Sequence, residues 1–188
     1  MPSNSLREAR IRFIETYSEI EAAMSNLIQA LLDVDSRIAW SIFYRVSSTR
    51  SSYAMILDFI KVKHPELKKA WCVIERWLTP IDTARNHIVH WMVINKDTQF
   101  LANPATYVGL ETLKPEEQDT EQKYTKEQID ELWYSAFKAS AVVSMLARGI
   151  RENDAALLDR FLPLTNNQTL KGFQILMMPL KDAYQRQS

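Results

Sequence analysis

A chain of 188 residues with 46% apolar and 24% charged side chains has the make-up of one globular domain that can bury a sizeable core. Lys+Arg and Asp+Glu both total 23, so no net field draws the protein to nucleic acid or to an anionic membrane, and such a partner must be held by a local patch. Only three glycines occur, with no G-x-G-x-x-G or G-x-x-x-x-G-K-[ST] string, and the single Cys72 excludes an intrachain disulfide framework or a multi-cysteine zinc site.

The opening "MPSNSLREARIRF" is charged and lacks the apolar run of a signal peptide. No stretch approaches the ~20 apolar residues of a membrane-spanning helix. A soluble, cytoplasmic protein without a membrane partner is expected.

Ser5 and Glu8 form an S-x-x-E capping box at the start of the first helix. Phe13, Tyr17, Ile20, Met24, Leu27 and Leu31 follow at steps of four and three, one stripe along a helix that ends near Asp33 to Asp35. Arg12, Glu15, Glu19 and Glu21 lie mostly off that stripe. Ile38, Ile42 and Val46 carry a second helical region into the serine-rich "SSTRSS", which is either a break with a fresh cap or a kink. Tyr53, Ile56, Phe59 and Ile60 continue it until His64-Pro65, where the residue before proline is pushed out of helical geometry.

Pro65 suits the first turn of the next helix, whose inward residues are Leu67, Trp71, Ile74 and Leu78. Thr79-Pro80-Ile81-Asp82 has the form of another start, with Thr79 as N-cap and Pro80 at the first position. A separate helix is therefore expected over about 80–92, the alternative being a proline kink in a longer one. A short hairpin around Asn95-Lys96-Asp97 and an acidic loop "KPEEQDTEQ" fill an insertion at 92–122. Thr125 and Gln128 make a second capping box, with Tyr124 and Ile129 as a hydrophobic staple. The long helix after it turns Ile129, Leu132, Ala136, Val143 and Ile150 inward and ends near Glu152. After Asp154 a short helix carries Leu157, Leu158 and Phe161. Residues 1–162 thus read as a mainly α domain of about five helices, and 163–188 as an extension whose "FQILMMPL" is apolar enough to dock on the body or on a partner.

The stretch "RNHIVHW" at 85–91 holds two of the three histidines. At about 100° per residue, Ile81, Ala84, Ile88 and Trp91 share a buried face. Asp82, Asn86 and His90 line up on another side, and Arg85 stands between the two. A polar face of this kind can be no more than solvated, and Arg85 can simply pair with Asp82 three residues earlier.

Arg85-Asn86-x-x-x-His90 resembles the R-N-x-x-x-H signature of the HEPN superfamily, most specifically over 79–91 and more loosely, in helix number and order, over about 5–152. Many members follow the histidine with Gly where Trp91 stands here, a departure that bears on packing. The resemblance implies an all-α bundle, a homodimer and, in many members, metal-independent cleavage of RNA in toxin–antitoxin or anti-phage systems, with an antitoxin protein as a possible partner. The residue types suit that chemistry. Histidine transfers protons near neutral pH, and arginine's charged fork grips phosphate oxygens. His90 is then the acid/base, Arg85 the phosphate clamp and Asn86 the orienter of His90 or of the RNA backbone. One histidine per chain leaves the mechanism short of a group, which a two-fold dimer supplies; His87 is the rival within one chain.

Arg45, Arg50, Lys61 and Lys63, together with His87, are the candidate RNA contacts, although surface cations are mostly only solvated. The H-x-x-H pair of His87 and His90 lacks i, i+4 spacing and a third ligand, so no metal or cofactor is expected. Besides the nuclease, the same residues fit a non-catalytic HEPN-like binding or assembly module, or a plain helical protein with a chance motif.

Overall fold

The computed structural model describes residues 5–46, 48–95, 99–102 and 124–164. The acidic loop at 114–122 and the "FQILMMPL" tail lie outside these residues. The fold is mainly α. Helix α1, Leu6–Leu32, opens with the expected reciprocal Ser5–Glu8 capping box and closes at Asp33, which takes the left-handed conformation at φ 51°. The serine-rich stretch is a break with a fresh cap. Helix α2, Ser36–Arg45, is capped by Asp35, and α3, Thr49–Lys63, restarts with the Ser48 side chain accepting from Ser51 N–H. His64 ends α3, and a single 3-10 turn at Pro65–Leu67 leads into α4, Lys68–His90.

The expected helix start at Thr79 is corrected: α4 runs unbroken through Pro80. Thr79 does not cap a new helix, because its hydroxyl donates back to the Glu75 carbonyl at 2.8 Å. Thr83 likewise donates to the Thr79 carbonyl at 3.0 Å. Pro80 lies exposed; it lacks the N–H that would have met the carbonyl four residues earlier and its ring crowds that carbonyl, a cost that the burial of Leu78 and Ile81 on either side offsets.

Beyond α4 the expected hairpin is present: β1, Met92–Asn95, pairs antiparallel with β2, Gln99–Ala102, in the register Met92 to Ala102. Helix α5, Lys126–Glu152, begins with the Thr125–Gln128 capping box and ends at left-handed Asn153. The short α6, Ala155–Asp159, is capped by Asp154 and folds back over the end of α5. Gly149 permits that closeness, since a Cβ there would stand 2.7 Å from Leu158 Cδ2.

The two longest helices, α1 and α5, pack side by side as the spine, with α2, α3 and α4 around them. The whole α1 stripe is buried, as are Leu67, Trp71, Ile74 and Leu78. Trp71 sits in the core with its Nε1 donating to the Tyr53 carbonyl at 3.2 Å. In α5, Ile129, Ala136, Val143 and Ile150 turn inward as their spacing predicts. Helix α2 departs from expectation. Ile38 is 51% exposed, while Ala39 and Phe43 are buried. The Asp35 cap fixes the phase of this short helix, and the face it offers α1 begins with small Ala39, which allows close approach. Trp40 and Tyr44 are left stacked on each other, ring centroids 5.2 Å apart, with Tyr44 exposed.

Candidate functional site

The phase of α4 sets its polar edge. Ile81, Ala84 and Ile88 are buried, with Trp91 buried just past the helix end. Asn86 and His90 are thereby turned to solvent, and Asp82 and Arg85 stand half-buried at the rim. The last turn is tied down from α1: Arg10 Nη2 donates to the Val89 carbonyl at 2.7 Å. The final carbonyls of a helix have no intrahelical partner, so this bond satisfies one of them and fixes the turn that carries His90.

His87 lies on the flank with Trp91. The two rings stack at 4.7 Å, and Tyr124, at the start of α5, tilts against Trp91 at 5.4 Å. His87 Nδ1 and the Tyr124 hydroxyl are 3.2 Å apart. Trp91 thus belongs to the packing, and His87 shares in it while His90 does not.

Arg85 is held differently from the simple Asp82 pairing. Its Nη1 donates to Asn86 Oδ1 at 3.1 Å, and its guanidinium lies 5.3 Å from the centre of the Tyr17 ring. Asp82 Oδ1 accepts instead from the Tyr17 hydroxyl at 2.6 Å. Asn86 therefore orients Arg85 in this structure rather than the ring of His90, and His90 makes no hydrogen bond among the described residues.

Burial and then the hydrogen bond to Asp82 push the Tyr17 phenol far above its ordinary pKa, so Tyr17 is a fixed donor and no base. Glu21, one turn further along α1, is also raised. Burial is the main cause and Asp82 adds to it, while the positive charge of Arg85 opposes both. Burial raises Tyr53 likewise, helped by the nearby negative charge of Asp82, and its buried hydroxyl has no hydrogen-bond partner among the described residues. Tyr17 and Glu21, together with Phe43, Tyr44, Ser48 and Thr49, also line a cleft of about 190 Å³ where the end of α2 and the start of α3 meet α1.

The structure therefore joins Arg85 to Asn86, sets His90 one turn beyond Asn86 on the same exposed face without a contact to Arg85, and brings Arg85 to the cleft through the Tyr17 ring. Arg45 and Arg50 are exposed and stand next in sequence to cleft residues Tyr44 and Thr49. Lys61 and Lys63 lie at the far end of α3, roughly 16 Å or more along its axis from Arg50, and Lys61 is paired with Asp58 at 2.8 Å. No three His, Cys, Asp or Glu side chains converge as a metal site among the described residues. None of the described helices is long and apolar enough to cross a membrane.

Sequence reasoning missed the partnership of Tyr17, Glu21 and Asp82. The four-residue step from Tyr17 to Glu21 was readable, but their meeting with α4 spans more than sixty positions of chain and leaves no local signal. Compared with known proteins, the chain matches no family model, no curated protein and no solved structure.

Proposed function

We propose that the protein is a metal-independent endoribonuclease of the HEPN type that works as a homodimer. The observation that carries this reading is that the R-N-x-x-x-H residues all lie on the last turns of α4, with Asn86 and His90 open to solvent and Arg85 steadied by Asn86 and the Tyr17 ring. In the reaction the RNA 2′-oxygen attacks the adjacent phosphorus as a neutral His90 imidazole takes its proton. The bond from phosphorus to the 5′-oxygen breaks, and an imidazolium, supplied by His90 of the second copy, protonates the leaving oxygen. The Arg85 guanidinium neutralises the equatorial oxygens of the pentavalent phosphate. The products carry a 2′,3′-cyclic phosphate and a 5′-hydroxyl.

Two-fold symmetry puts two copies of each group around one scissile bond, which answers the shortage of histidines in one chain. A toxin–antitoxin or anti-phage setting, with a cognate antitoxin protein, belongs to the same proposal. The test is cleavage of unstructured RNA in EDTA by the wild type, His90→Ala, Arg85→Ala and His87→Ala chains. Loss of cleavage in the first two variants, with melting temperature little changed, supports the reading. Cleavage that survives His90→Ala but not His87→Ala reassigns the catalytic group. RNA left intact by the wild type, with a protein partner recovered instead, replaces the nuclease by a binding or assembly module.

A further inference from the structure

Next to the motif helix, the cleft between α1, α2 and α3 combines three features that a merely solvated surface does not need together. Tyr44 is 64% exposed and rests on Trp40 with the two ring planes only 15° apart, a rigid aromatic step at the cleft wall. A half-buried carboxylate, Glu21, lies inside, and its charge is felt by Arg85 on α4. Two exposed arginines, Arg45 and Arg50, directly follow the lining residues Tyr44 and Thr49 in the chain, and neither is ion-paired among the described residues. A cavity of about 190 Å³ is well below the roughly 300–1,000 Å³ of drug-sized sites, so it suits a single ring system.

We propose that this cleft holds one unpaired guanine base of single-stranded RNA, stacked on Tyr44 and read by the Glu21 carboxylate, with Arg45 and Arg50 on the flanking phosphates. Bases of single strands bind by stacking on aromatic rings and by hydrogen bonds to their Watson–Crick edges. A carboxylate is misplaced in a groove that meets only phosphate. It is well placed against a base edge that presents two parallel N–H donors, and guanine N1 and N2 match its two oxygens. Tyr17 lines the cleft and the Arg85 guanidinium lies 5.3 Å from the centre of its ring, so the base in the cleft belongs to a nucleotide near the phosphate that Arg85 would clamp. The inference therefore rests on the nuclease reading for its direction along the strand, but not for binding itself.

The test uses the full chain and fluorescently labelled hexanucleotides bearing 2′-O-methyl groups, which cannot undergo 2′-oxygen attack, with one G, A, C or U in an otherwise uniform background. Binding by anisotropy is expected to favour the G-containing strand. Tyr44→Ala weakens it about tenfold or more, and Arg50→Ala lowers the salt dependence by about one phosphate contact. Glu21→Gln removes the preference for G. Tyr44 is exposed, so its truncation leaves the core intact. Binding that Tyr44→Ala leaves unchanged within about twofold, or a G preference that survives Glu21→Gln, overturns the cleft assignment. The two readings separate cleanly. Tyr44-dependent binding of modified RNA without any cleavage of ordinary RNA keeps the cleft and sinks the nuclease. His90-dependent cleavage that ignores Tyr44 and Glu21 does the reverse.

Discussion

Replacing Tyr17 by Phe removes one oxygen atom and keeps the ring. The lost group is the hydroxyl that donates to Asp82 at 2.6 Å, the short polar link joining α1 to the motif helix. A hydrogen bond to a charged acceptor contributes about 1.5–3 kcal/mol. Asp82 is partly open to water and recovers some solvation, which places the expected loss in the lower half, about 1.5–2 kcal/mol. In a domain of this size that corresponds to a fall in melting temperature of about 3–8 °C. Urea unfolding followed by circular dichroism reads the change as a shift in midpoint at constant slope. Because Phe preserves the face over which Arg85 rests, the guanidinium keeps its seat, and the expected change is confined to stability. In the background of Asp82→Asn the same substitution costs less, and the difference is the coupling between the two side chains. A Tyr17→Phe protein within about 0.5 kcal/mol of wild type refutes the claim that this contact holds α4 to α1.

Pro80 is a proline in the interior of α4, so Pro80→Ala restores a backbone donor and is expected to stabilise the protein by about 1–2 kcal/mol after the unfolded chain regains freedom; a loss of stability would show that the ring is needed for packing. Arg10→Ala strips the Val89 carbonyl of its donor, with an expected cost of about 1 kcal/mol. Hydrogen exchange should then speed up in the last turn of α4, and unchanged protection there defeats the assignment. For Glu21 the folded state raises the pKa, so the ionised carboxylate is disfavoured on folding. Its contribution to stability is then lost as pH rises through its unfolded value and on past the raised folded one. Glu21→Gln is expected to raise the melting temperature at pH 7 by a few degrees at most and to do nothing near pH 3, which calorimetry at both pH values can check.

Local chemistry carried most of the fold into the sequence. Both capping boxes and the stop at His64-Pro65 depend on neighbours within four residues, and each is where the side chains say it should be, whereas the serine-rich stretch fits a kink as well as the fresh cap at Ser48 that the structure shows. Thr79-Pro80 misled because the same dipeptide fits a helix start and an exposed interior position; the choice was made by packing of Leu78 and Ile81 on other helices, which no window of sequence contains. Ile38 misled for a related reason, since a ten-residue helix has too few turns for its pattern to fix its rotation. At the site, the exposure of His90 and Asn86 and the burial of Trp91 followed from the α4 phase alone. The tethering of Asp82 by Tyr17 and of the last turn by Arg10 did not, because both bonds cross from α1.

Trp91 marks the boundary between the motif helix and the insertion. Its ring is clamped between an imidazole of α4 and the phenol that opens α5, so both ends of the inserted segment are stapled to the same aromatic cluster. The end of α4 is thus braced from two neighbours at once, by α5 through this ring cluster and by α1 through the Arg10 guanidinium on the Val89 carbonyl.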